Sequence, residues 1–442
     1  MLSRAFGGYK SSFSADLSVQ ALHRAFGTLL QFDRNHQAHQ LHGHPVSPDG
    51  FPQEHSRGVP SACMFEPTGT VCGSFDQKLA TLRSIGDCVS EYELSVLLKK
   101  IPVPVCYVWC DPSPWMHITQ GISMTSNVNK MVKAGFEVKL LMADWFARMD
   151  PQITMKVGSD LSNIQTIGRY NIEVWKAIGM NLGGVEVVQL SDKISCKTDE
   201  YWSLAMDIAR KSDLSRIKSW LRVYASKDPS MRCQGSIDPY MSREFSAAEI
   251  ANPCLQSAGI LLQKADVWLL NLDQHGGHIL ARQYCKHIER ETIPIAFFNN
   301  VLPNLLEHPG FGGCNDTRWT IFMEDFAFCL LQEEVCSKIE DAFCPLKNAK
   351  CNPCLEYIKY IILPWFGKFE VLQTVENSGI KTFMCMEELA ADYESGALHP
   401  IDVKQALVKA INMMLQPVRD HFSSNDEAKE LKEAMQIFNS NI

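Results

Sequence analysis

The chain has 442 residues, 46% of them hydrophobic, which is enough for two domains with a sizeable core and excludes a small disulfide-stapled scaffold. With 21% charged and 10% aromatic residues most of it falls outside the disordered class, and no apolar run of about 18 residues offers a membrane span. A formal net charge of −8 provides no global pull toward a polyanion, so any nucleic-acid contact has to come from local basic patches.

In chain order, residues 1–75 are rich in Ser, Gly, Pro and His without sustained periodicity, and read as a largely unstructured N-terminal segment. Their first 32 residues hold one acid, Asp16, a composition resembling an organelle transit peptide, while His36, His39, His42 and His44 read as a solvated polar stretch. From Phe75 a helical pattern (Leu79, Leu82, Ile85, then Leu94, Leu97, Leu98) leads to a strand-like run, Val103–Trp109, closed by Asp111-Pro112-Ser113-Pro114. A helix opens near His117 and continues toward Met131, and a second buried strand, Glu137–Ala143, ends at Asp144; strand, helix, strand at this spacing is a βαβ unit of a parallel sheet. Helices at 166–179 and 201–211 and strands at Ala265–Leu272 and Ile293–Phe298 extend the alternation, which predicts an α/β fold with a doubly wound, Rossmann-like domain over 76–330. Beyond Phe326 helical patterns dominate (Glu333–Phe343, Cys354–Trp365, Met386–Glu394, Asp402–Phe422), predicting a mainly helical domain over 331–442.

The 16 cysteines are scattered and read as free buried thiols; Cys351 and Cys354 form a CxxC without a second pair at zinc-ribbon spacing, so no metal site is expected. In an open α/β sheet ligands sit beyond the carboxyl ends of the strands, where helix N-termini offer unpaired N–H groups to phosphates. The loop Asp111–Gly121 is therefore the leading site candidate, and it contains neither GxxxxGK[ST] nor GxGxxG, which argues against a P-loop or nicotinamide enzyme.

The segment Cys106-Tyr107-Val108-Trp109-Cys110-Asp111-Pro112-Ser113-Pro114-Trp115-Met116-His117-Ile118-Thr119-Gln120-Gly121 resembles the tyrosyl-tRNA synthetases, whose eukaryotic members read close to CYDGFEPSGRMHIAQG there. The similarity continues through Ala143-Asp144-Trp145-Phe146-Ala147, Gly168-Arg169-Tyr170 and Glu173-Val174-Trp175-Lys176-Ala177. It is densest at Asn352–Phe366, Ala391–Pro400 and Leu415–Phe422. The resemblance spans roughly residues 76–435 and implies a class I aminoacyl-tRNA synthetase of the eukaryotic and archaeal branch. Such an enzyme is a cytoplasmic homodimer that joins ATP, with accompanying Mg²⁺, to L-tyrosine and passes the tyrosyl group to tRNA-Tyr; the transit-like N-terminus offers mitochondrion or plastid as an alternative location.

Carried over residue by residue, the resemblance implies that His117 opens the HIGH-type signature with Gln120 at its last position, and that Tyr107 meets the substrate hydroxyl. It also implies that Gln256 and Gln274 face the ammonium side and that Asp402 reads the first anticodon base. A helix-capping role is the plainer reading of Asp402. Several positions depart from the pattern. Pro114 and Trp115 replace a glycine and an arginine, and the motif YPCMQCAD becomes Asn252-Pro253-Cys254-Leu255-Gln256-Ser257-Ala258-Gly259, so that Asn252 stands for the tyrosine and Gly259 for the hydroxyl-reading aspartate. DQRKxN becomes Asp273-Gln274-His275-Gly276-Gly277-His278, KMSKS aligns with Phe311–Asn315 without either lysine, and a stacking aromatic falls near Asn377. Loss of a transition-state clamp costs about 2.7–4 kcal/mol per group. Two readings follow: a tyrosine–tRNA ligase with degraded motifs, or a catalytically inactive paralogue that binds tRNA or protein.

Overall fold

The computed structural model describes residues 74–218, 245–299 and 332–440, apart from 115, 272–273, 351 and 374–378, together with Leu302 and Leu305. The N-terminal histidines, the segment over KMSKS, Trp115, Asp273 and Asn377 lie outside these residues.

Six strands build the main sheet: β1 (Asp87–Cys88), β2 (Val105–Cys110), β3 (Glu137–Met142), β4 (Glu186–Gln189), β5 (Val267–Leu270) and β6 (Ile295–Phe298). Their order is β1-β6-β5-β2-β3-β4, with β1 antiparallel to β6 and every other pair parallel. The chain first grows outward from β2 through β3 and β4, then returns to the other side of β2 with β5 and β6. The carboxyl ends of β2 and β5 are thus the point where the winding reverses, the place where an open α/β sheet holds its ligand.

Alternation along each strand divides the interior. Cys106, Val108 and Cys110 of β2 belong to one apolar cluster with Val138, Leu140, Val267 and Leu269. Tyr107 and Trp109 belong to a second, with Leu141, Trp268 and Leu270. Helix α1 (Met124–Lys133), entered through a π-helical turn at Thr119–Ser123, and helix α2 (Leu161–Ile178) cover the first face. Helices α3 (Thr198–Arg210), α4 (Ala247–Leu262) and α5 (His275–His287) cover the second. Helix α4 starts with a reciprocal capping box: the Glu249 amide donates to Ser246 Oγ at 3.2 Å and the Ser246 amide to Glu249 Oε2 at 2.8 Å.

Beyond the sheet the chain is mainly helical, as its sequence predicts: Gln332–Glu340, Pro353–Phe366 with a π-helical turn inside, Met386–Ser395, Pro400–Ser424 and Asp426–Ser440. A hairpin, Phe369–Gln373 with Gly379–Phe383, interrupts it, an element the sequence patterns miss. The helical layer joins the first cluster through Tyr170 and Phe422, whose ring centroids are 5.2 Å apart, and through His421 Nε2 at 2.9 Å from Glu173 Oε2.

Candidate amino-acid and nucleotide site at the sheet switch point

The loop leaving β2 is held at both ends. Asn171 of α2 accepts from the Ser113 amide at 3.2 Å and donates from Nδ2 to the Ser113 carbonyl at 3.0 Å. At the far end Gln120 Oε1 accepts from the His117 amide at 2.8 Å, and the Gln120 carbonyl accepts from Trp175 Nε1 at 2.9 Å. Gln120 therefore acts as the cap of this helix start, satisfying one of its orphan N–H groups. His117 Nδ1 accepts from the Thr119 amide at 3.2 Å, which places the ring proton on Nε2. Burial pushes the His117 imidazole down to about 4, so at neutral pH it is an uncharged donor through Nε2.

On the other face of β2, Tyr107 packs against Trp268 of β5 with ring centroids 5.3 Å apart, and desolvation raises its phenol pKa. Asn252, Gln256 and Gly259 fall at i, i+4 and i+7 of α4, one face of that helix. Gln256 lies against the first turn of α5: a Cβ at Gly277 would sit 2.3 Å from Gln256 Oε1, so position 277 has no room for a side chain while the amide stays there. Gln274, 1% exposed, accepts at Oε1 from the Asn271 amide at 2.7 Å and donates through Nε2 to Asp111 Oδ2 at 2.9 Å.

The centre of this arrangement is a side chain to which the sequence reading gives no role. Trp109, fully buried, stands one residue beyond the last β2–β5 register pair, Val108 with Leu269. Its indole Nε1 donates to Asp111 Oδ1 at 2.8 Å, and its ring lies 5.3 Å from Phe146 and 6.1 Å from Trp268, centroid to centroid. Its six-membered ring approaches Gly259 so closely that a Cβ there would be in ordinary contact, at 3.6 Å from Cη2 and Cζ3. The signal in the sequence was the glycine that CYDGFEPSG carries opposite Trp109; inside an apolar run a tryptophan reads simply as core.

The segment over DQRKxN also changes character, with His275 over the arginine, Gly276 over the lysine and His278 over the asparagine. Burial pushes His275 down to about 4, and His278, whose Nε2 meets the Pro294 carbonyl at 3.1 Å, down to about 3, so both are neutral at physiological pH. Asn252 Oδ1 and Trp268 Nε1 are buried without a hydrogen-bond partner among the described residues. Asp402 lies apart from this group, in the first turn of Pro400–Ser424, and is 3% exposed; the N-cap of that helix is His399, whose Nδ1 accepts from the Ile401 amide at 3.3 Å.

Residues 102–416 match the family model of class I tRNA synthetases (W and Y). The chain belongs to that family. Within it the likeness is to tyrosyl members. The chain is 44% identical to tyrosine–tRNA ligase 1, cytoplasmic, of Arabidopsis thaliana, over 82% of its own length and 89% of the relative's. It is 43% identical to the longer tyrosine–tRNA ligase 2, cytoplasmic, of the same plant, but spans only 46% of that relative. Among solved structures it superposes on Leishmania major tyrosyl-tRNA synthetase in complex with tyrosinol with a TM-score of 0.69 at 33% identity, covering 84% of this chain and 53% of the other. No helix among the described residues is long and apolar enough to cross a membrane, and no group of three His, Cys, Asp or Glu side chains among them could hold a metal ion.

Proposed function

We propose that this chain derives its role from tyrosyl-tRNA formation: a tyrosine–tRNA ligase that activates L-tyrosine with ATP and transfers it to tRNA-Tyr. The observation that carries this reading is the 44% identity to a cytoplasmic tyrosine–tRNA ligase of which the chain covers 89%. The geometry adds Tyr107, Gln274 and the His117–Gln120 helix start arrayed around the carboxyl end of one strand. In this reading Nε2 of neutral His117 donates to a phosphate oxygen of ATP, at a helix start whose dipole favours the same anion. Mg²⁺ arrives with the nucleotide as part of the substrate. Gln256 and Gln274 orient the amino acid, Asp402 contacts the anticodon once the helical layer yields access to it, and the protein works in the cytoplasm as a homodimer.

One observation favours the second reading, a synthetase scaffold that binds tRNA or protein without catalysis: the Trp109 indole lies against Gly259, where the family has the carboxylate that reads the tyrosine hydroxyl. Tyrosine-dependent ATP–pyrophosphate exchange decides between them. Exchange above a no-tyrosine control supports the ligase; none, with tRNA-Tyr retained on a filter, supports the scaffold.

A further inference from the structure

We infer that the aromatic side-chain subsite of this synthetase scaffold is filled by its own Trp109, which makes that residue the determinant of whether an aromatic amino acid can enter. The inference rests on assigning the β2–β5 switch point as the amino-acid site and deepens the second, non-catalytic reading above, because a filled subsite excludes tyrosine activation by the wild type.

Four observations converge on it. The indole is fully buried at the one point of the sheet where a ligand is expected. It lies between β2 and α4 with its benzo edge on Gly259, and both flanking rings, Phe146 and Trp268, are at aromatic packing distance. Its Nε1 is bonded to Asp111, whose second oxygen accepts from Gln274, so the polar end of the site is engaged by the protein itself. Finally, Tyr107, Trp109, Leu141, Ala258 and Trp268 belong to one continuous apolar cluster, with packed side chains where an open slot would be needed.

The two changes are complementary in volume and polarity. Glycine at 259 removes a carboxylate that would otherwise be buried against an apolar ring, and the ring supplies the bulk that the missing substrate and carboxylate would provide. Either change alone would be costly: a carboxylate facing the indole would be desolvated without compensation, and a glycine facing an empty slot would leave a cavity. Together they form a satisfied core.

The test is ligand-induced thermal stabilisation of the full chain, with indole and L-tyrosine as probes. The wild type should show no rise in melting temperature with either. Trp109→Gly vacates an indole-shaped space and should be stabilised by indole; Trp109→Leu, which keeps part of the volume and tolerates folding better, should gain a smaller rise. Trp109→Gly combined with Gly259→Asp should prefer L-tyrosine to L-phenylalanine. A wild type stabilised by L-tyrosine as strongly as the variants overturns the inference, and so does a folded Trp109→Gly protein indifferent to indole. The exchange assay separates this from the ligase reading. No exchange by the wild type, with L-tyrosine bound by the double variant, refutes the ligase and leaves the filled subsite standing. Exchange by the wild type at tyrosine concentrations near those of its relatives refutes the filled subsite and leaves the ligase.

Discussion

The two sides of strand β2's carboxyl end have diverged to different extents. On the side of the loop to His117 the helix start is well ordered: His117 neutral with Nε2 carrying the proton, Gln120 capping, and the loop pinned through Asn171. On the side facing the helix Ala247–Leu262 the same strand presents Trp109, where the family motif carries glycine, packed against Gly259; on the inference above this is the amino-acid side and the indole fills its slot. Both sides stay well packed. A helix start keeps its geometry through backbone and capping bonds that fold stability itself requires, whereas a ligand slot is a void the fold gains by filling.

The largest effect that can break this contrast is on stability. Trp109→Ala should cost about 3–5 kcal/mol in chemical denaturation, the range for deleting a buried tryptophan from a packed core. A cost under about 1 kcal/mol would mean that the indole rests in an open site. Acidification comes next, and it acts on both sides at once. His117, His275 and His278 are held well below 6.5, at about 4, 4 and 3. Below 6.5 the unfolded chain binds protons that the folded chain refuses, so the stability these groups contribute is present above about pH 6.5 and falls as pH drops toward 4. The loss is up to about 1.4 kcal/mol per pH unit for each histidine. Melting temperatures measured from pH 7.5 to 5 should fall, and His278→Asn should flatten the slope. The smallest effect concerns the glycine itself. A Cβ at Gly259 meets Trp109 at 3.6 Å, ordinary contact, so Gly259→Ala should be neutral or stabilising by up to about 1 kcal/mol through helix propensity. Destabilisation instead would show that the ring sits closer to α4 than described.

Most of the sheet was legible because buried parallel strands are continuous apolar runs: Val105–Cys110, Glu137–Met142, Val267–Leu270 and Ile295–Phe298 each lie within a residue or two of the predicted limits. Strand β4 was not, because Glu186 and Val187 are exposed on an edge and the run is short. The hairpin at 369–383 was hidden for a similar reason, with Glu370, Leu372 and Ile380 pointing outward in a segment surrounded by helical patterns. At the site, His117, Gln120, Tyr107 and Gln274 were readable from motif resemblance, and the losses at Gly259 and at the pair now His275 and Gly276 were readable too. Trp109 was not, since a sequence shows that a side chain is apolar but not that it has entered a slot. Its meaning comes from the distance to Gly259 and the shared acceptor Asp111.

The most direct test is a crystal of the wild-type protein soaked with tyrosinol at high concentration. The account predicts density for the Trp109 indole against Gly259, bonded to Asp111, with no ligand between β2 and α4. Tyrosinol seated beside Tyr107 and Gln274, with the indole displaced from Gly259, would contradict it.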